Sequence, residues 1–185
     1  IANGVVEGIS GYGNCLGIPN IGGECLFDKS YENNPLVNAM CVGIVDIDSI
    51  LSAKAESPGD LLIIIGSETG RDGIHGASGL ASQNFEETVE LRSAVQVGNP
   101  FLEKLLIEAC LEIATLDELV GMQDCGAAGI TSAAIEMAER SNLGLSIDVN
   151  KVPVREKGMT PYEIMLSESQ ERMLIAVRKN EYKNI

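Results

Sequence analysis

The clearest periodic signal in the chain lies just past its midpoint. In PFLEKLLIEACLEIA, residues 100–114, Leu102, Leu105, Leu106, Ala109 and Ile113 recur at helical spacing, which predicts an amphipathic helix. Asn99 is a suitable N-cap, and Pro100 suits the first helical position. A second helix is predicted over 131–140. Thr160-Pro161-Tyr162-Glu163 is a capping box that starts a short helix, IMLSES. A further short helix is expected over 75–83. Compact apolar runs predict strands at 36–47 (LVNAMCVGIVDI, largely apolar and so expected to be buried), 61–65, 119–123, 144–149 and 173–177. Residues 1–34 are rich in Gly and Asn and hold only short apolar pieces. They predict loops and edge strands rather than helix.

Pro58-Gly59 is a strong turn, and a domain boundary is expected near residue 55. Beyond it helices and strands alternate, so the fold class expected is α/β (α+β), a sheet with helices packed on one face. QDCGAAG, at 123–129, reads as a loop between strand and helix.

Composition narrows the function. The chain has 185 residues, 45% of them hydrophobic and only 4% aromatic, so its core is aliphatic. The net charge of −14 argues against non-specific nucleic-acid or anionic-membrane binding. The five cysteines form no CxxC pair, which indicates neither a disulfide framework nor a zinc site and fits a reducing cytoplasm. No apolar run reaches the ~18 residues of a membrane span.

The stretch LLIIIGSETGRDGIHGA, at 61–77, ends an apolar strand in glycines at 66, 70, 73 and 76. It carries Arg71, Asp72 and the single histidine, His75. Glycine loops of this kind can turn backbone N–H groups toward an anion, or can simply be turns. The spacing matches neither GxxxxGK[ST] nor GxGxxG. Asp124 follows a strand and precedes a Gly/Ala loop, where a carboxylate can hold Mg²⁺ or cap the next helix. Gln96, just before the long helix, could read a substrate amide or brace its own loop. Glu168, Ser169 and Gln170 form either a polar pocket wall or a solvated junction. His75 reads as a general base or a structural hydrogen-bond partner, and Cys125 as structural.

Several segments together resemble one family: SGYGNCLGIPNIGGE, NPLVNAMCVG, GRDGIHGASGLAS, SAVQVGNPFLEKLLIEACLE, QDCGAAGITS and KVPVREKGMTPYEIMLSESQERML. They look like consecutive motifs of the formylglycinamidine ribonucleotide synthase large subunit, in its shorter bacterial and archaeal form. The likeness is weaker over 84–90 and at the last residues. Cys125 stands where the family more often has Met.

The resemblance implies a purine-biosynthesis ligase that converts formylglycinamide ribonucleotide, ATP and ammonia to formylglycinamidine ribonucleotide, ADP and phosphate. It implies the aminoimidazole ribonucleotide synthetase-like fold: residues 1–55 as the tail of an ATP-binding first domain, and 56–185 as an α/β second domain incomplete at its end. Gln96, Glu168, Ser169 and Gln170 would contact the ribonucleotide, and Asp124 would bind Mg²⁺. Arg71, Asp72 and His75 would line the same cleft. Tyr12, Asn14 and Glu24 lie in family motifs without an assigned role. A glutaminase subunit and a small accessory subunit would be partners.

The family's catalytic His and further carboxylates are expected upstream, so the chain reads as an internal fragment, with none of its own residues assigned as catalytic. Pairing of its exposed strand edges between copies is a further expectation. Two other readings remain. One is a different ATP-dependent enzyme of the same superfamily, such as aminoimidazole ribonucleotide synthetase, selenophosphate synthetase or thiamine-phosphate kinase. The other is a non-catalytic binding module. The MTPYEIMLSESQERML block, at 159–174, favours the formylglycinamidine enzyme over the first.

Overall fold

The computed structural model describes residues 1–32, 35–74, 96–179 and 181–182. Among the described residues three strands make one antiparallel sheet: β1 (Leu61–Gly66), β2 (Leu119–Asp124) and β3 (Arg172–Val177), in the order β1-β3-β2. Leu61 pairs with Val177 and Gly66 with Arg172. On the other edge Leu119 pairs with Val177 and Asp124 with Met173. The last strand in sequence is therefore the central one. It has the most buried residues because it is paired on both sides.

Alternation along the strands sends side chains to two apolar layers. One layer contains Leu174, Ala176, Leu62 and Ile64 and packs against Ile130, Ala133, Ala134 and Met137. These four belong to the helix α3 (Gly129–Arg140). Small residues on that helix let it lie close to the sheet. The other layer contains Ile175, Val177, Ile63, Ile65 and Met122, with Ile113 from the helix α2 (Pro100–Ile113). Helices thus cover both faces, not the single face expected. The two-faced cover explains why the strand at 61–65 is apolar at every position.

The helix starts follow their signals. Asn99 accepts the Leu102 N–H at 3.2 Å, with Pro100 at the first position of α2. Thr160 and Glu163 form the reciprocal capping box of α4 (Pro161–Leu166). The α2 face is shallower than its spacing suggests. Leu106 is buried, but Leu105 is 46% exposed, because the helix divides its contacts between β1 and the first helix.

Three expectations are overturned. Residues 2–16 are helical, α1 (Ala2–Leu16), despite glycines at 4, 8, 11 and 13. Val5, Tyr12 and Leu16, all partly buried, sit at helical spacing, and Gly17 closes the helix at φ +73°. Residues 36–47 are not a buried strand: they are exposed and unpaired except for a 3₁₀ turn at Ile47–Ser49, and Ile44 is fully exposed. An apolar strand becomes buried only where it pairs with an edge, and these residues pair with none of the three strands. Residues 144–149 form no strand either. The outer edge of β2 is already occupied by residues 52–54: the Met122 N–H reaches the Ser52 carbonyl at 3.4 Å. The Lys54 carbonyl would lie 2.1 Å from any Cβ at Gly121, so only glycine admits this strap. The short helix expected over 75–83 lies outside the described residues.

Candidate functional site

The polar residues gather at one end of the sheet, where β1 and β2 finish and β3 begins. Segment 167–171, SESQE, joins α4 to β3 there. Ser167, Glu168 and Ser169 are buried although all are polar, so each must find partners inside. Glu168 accepts the Ala128 N–H at 3.0 Å with one carboxylate oxygen and the Gln96 amide at 2.7 Å with the other. The Gln170 amide donates to the Glu168 carbonyl at 2.9 Å. One carboxylate therefore joins the loop following Asp124 to the segment preceding α2.

The loop after β1 is stitched to this segment. Gly70 N–H donates to Ser169 Oγ at 2.9 Å, and Ser167 Oγ donates to the Gly70 carbonyl at 2.6 Å. The Glu168 N–H reaches the Asp72 carbonyl at 2.8 Å, and Ser169 Oγ donates to the Asp72 carboxylate. Arg155 Nη2 lies 2.8 Å from Asp72. Gly73, at φ +64°, brings its backbone so near Glu168 that a Cβ would meet the Glu168 Cβ at 2.5 Å.

Behind the turn lies Arg172, 3% exposed. Its guanidinium donates to the Ser167 and Ser169 carbonyls at 2.6 and 2.8 Å and to Thr69 Oγ1 at 2.8 Å. Burial pulls its pKa below the usual arginine value, while the nearby Asp72 carboxylate opposes that shift. A cleft of about 260 Å³ opens in front, lined by Ser67, Asp72, Asn99, Arg155, Gln170 and Glu171, with Val97 and Ser169.

The expected residues separate on this geometry. Gln96, Glu168 and Gln170 are joined through Glu168, and Asp72, Ser169 and Gln170 line the cleft. Asp124 is exposed at the end of β2, beside the same turn: the Cys125 N–H donates to the Arg172 carbonyl at 3.1 Å.

Arg71 does not line the cleft. It turns toward Glu163 at 2.7 Å and Glu156 at 2.9 Å and donates to the Gly158 carbonyl, tying α4 to the preceding loop. The hydrogen bond from Arg71, with those from Thr160, holds the Glu163 carboxyl down at about 2. The Gly70 and Arg71 N–H groups serve Ser169 and Glu156, so this part of the glycine loop is a brace. His75 lies outside the described residues.

Cys125 is buried, and burial pushes its thiol up, which suits a structural role. Among the described residues no three His, Cys, Asp or Glu side chains are grouped to hold a metal. A single exposed carboxylate such as Asp124 fits Mg²⁺ only as one ligand among phosphate oxygens and water.

Sequence reasoning missed Arg155, Glu171 and Arg172. Arg172 could have been suspected: a charge opening the apolar run MLIAV has to be buried with partners. Nothing local distinguished Arg155 or Glu171.

Two family models match in chain order: the AIR synthase related protein N-terminal domain over residues 1–45 and its C-terminal domain over 57–184. The phosphoribosylformylglycinamidine synthase subunit PurL of Thermoanaerobacter sp. (strain X514) is 58% identical over 181 residues, 98% of this chain and 25% of that protein. The chain thus spans about a quarter of the length of the curated relatives it matches. Among solved structures, T. maritima PurL complexed with FGAR superposes with a TM-score of 0.87 at 45% identity, covering 95% of this chain and 29% of that one. T. maritima PurL complexed with ATP gives 0.83 at 40% identity, covering 99% and 28%.

Proposed function

The chain belongs to the AIR synthase related protein family, and we propose that it supplies part of the active site of a phosphoribosylformylglycinamidine synthase. That enzyme joins ammonia to formylglycinamide ribonucleotide at the expense of ATP. The single observation that carries the reading is the convergence of Gln96, Gln170 and the Ala128 N–H on Glu168, beside an open cleft. Side-chain amides and hydroxyls at such a place can read the formamide and ribose of the substrate. The relatives' names, the ribonucleotide and ATP in the two T. maritima structures, and the motifs at 96 and 168–170 support the same substrates.

The chemistry suits the residues. An amide oxygen leaves poorly, so ATP phosphorylates it, ammonia adds to the activated carbon, and phosphate departs. Such a site needs fixed dipoles around moving phosphoryl charge more than a strong base. Gln96, Glu168, Ser169 and Gln170 orient the ribonucleotide, and their buried mutual bonds fix its seat before it binds. Asp124 would be one ligand of Mg²⁺, which would supply positive charge against the phosphates.

Residues 1–55 belong to the end of the ATP-binding domain and 56–185 to part of the second. A glutaminase subunit delivers the ammonia, a small accessory subunit completes the complex, and the enzyme works in the cytoplasm.

Two expected results follow from the share of the enzyme that this chain represents. The isolated chain shows no ATP- and ammonia-dependent formation of product, read as ADP released per mole of protein. Steady turnover by the pure chain would refute this. The exposed apolar stretch 36–50 makes the isolated chain self-associate, because unburied Met40, Val42 and Ile44 seek cover. Light scattering should give a mass above that of one chain, and a strict monomer at high concentration would contradict it.

A further inference from the structure

Glu171 is 8% exposed and sits at φ +56°, a left-handed conformation that is strained for a non-glycine residue. The strain needs a compensating arrangement, and three contacts provide one. Its Oε1 accepts the Tyr12 hydroxyl at 2.7 Å and the Asn99 N–H at 2.9 Å. Its carbonyl accepts the Ser67 N–H at 2.9 Å. Gly66, at φ +108°, leaves the room for that approach, since a Cβ there would lie 2.0 Å from the Glu171 carbonyl. Burial and the Glu171 carboxylate raise the Tyr12 hydroxyl above its usual range, so it keeps its proton and donates.

These partners come from distant places. Tyr12 lies on α1, within the first family model, and Asn99 is the N-cap of α2, three residues after Gln96. Gln170 precedes Glu171 directly. The conformation of this one residue therefore sets where Gln96 and Gln170 stand relative to each other, and ties both to α1.

We propose that Glu171 is a positioning residue, a latch whose carboxylate holds the 96–99 segment and α1 against the SESQ turn so that Gln96 and Gln170 face the ribonucleotide together. This rests on the function proposed above. The latch works by accepting hydrogen bonds, not by its charge, so a glutamine, whose amide oxygen can accept the same two bonds, should serve in its place.

The experiment uses the full-length synthase carrying Glu171→Ala or Glu171→Gln and reads two quantities. In the alanine variant, amides over 96–102 exchange with deuterium about tenfold faster or more, while peptides over 172–177 stay protected, which shows that the sheet has folded. The Kd of formylglycinamide ribonucleotide, measured by calorimetry, rises about tenfold. In the glutamine variant both quantities return to within about threefold of wild type.

Unchanged exchange over 96–102 in the alanine variant would overturn the latch whatever the ligand does. So would a glutamine variant as impaired as the alanine one, which would assign Glu171 a role for its charge. Unchanged ribonucleotide affinity in the alanine variant, with wild type binding normally, would overturn the positioning role. A wild-type enzyme that does not bind the ribonucleotide at all would instead refute the proposed function, with the exchange result still deciding the latch.

Discussion

Replacing Glu168 with alanine in the full-length enzyme is expected to lower kcat/KM for formylglycinamide ribonucleotide by about 100-fold. Glu168 is 5% exposed and is the common acceptor for the Ala128 N–H and the Gln96 amide. Truncation leaves a partly buried peptide N–H without its acceptor, which costs of order 1–3 kcal/mol, and frees Gln96 from its seat. Together these come to about 2–3 kcal/mol of lost transition-state binding, or roughly 100-fold. The control is Glu139→Ala on the exposed face of α3, which should leave the rate within about twofold of wild type. A Glu168→Ala enzyme within about threefold of wild type would remove Glu168 from the site.

The largest loss of stability is expected from Arg172→Met. The guanidinium satisfies two main-chain carbonyls and the Thr69 hydroxyl in the interior. Methionine fills much of the volume but donates nothing, so three acceptors lose their partner. At about 1–3 kcal/mol for each buried acceptor left unmet, the total is at least about 3 kcal/mol. Arg178→Met is the internal comparison. Arg178 pairs with Glu56 at 3.1 Å on the surface, where a salt bridge is worth about 0–1 kcal/mol. Urea unfolding of the two variants should separate them clearly, and equal midpoints would show that Arg172 does not carry the turn. Arg172→Lys is expected to fall between them, since a single ammonium cannot reproduce the forked geometry.

The parts of this architecture that local chemistry decides were legible in the sequence. Asn99-Pro100 and Thr160-Pro161-Tyr162-Glu163 specify their helix starts through the first few N–H groups, and those bonds are present. The strands at 61–65, 119–123 and 173–177 were readable because their apolar runs are covered on both faces of the sheet. Strand order was not readable: nothing in MLIAV states that this last strand lies between the other two.

The failures share one cause, which is dependence on a neighbour. The run at 36–47 looks like a strand because its side chains suit one, yet a strand exists only with an edge to pair with. The helix over Ala2–Leu16 was hidden by its glycines, which lower helix propensity by about 1 kcal/mol each relative to alanine. Packing against α2 outweighs that preference.

The candidate site divides the same way. Gln96, Asp124 and the residues 168–170 were marked by their motifs. Arg71 was marked with them, although its charge is taken up by Glu156 and Glu163. The tying residues Arg155 and Glu171 act on partners scores of positions away, and no local rule reports that, whereas Arg172 is marked only by its place at the head of an apolar run.

The central claim is that the polar end of the sheet receives the ribonucleotide, with Gln170 at its wall. Calorimetric titration of the full-length protein with formylglycinamide ribonucleotide tests it most directly, using wild type and Gln170→Ala. The account predicts one saturable site whose affinity falls about tenfold in the variant, in line with the loss of one or two hydrogen bonds in a confined cleft. Equal affinity of the two proteins for the ribonucleotide would contradict it.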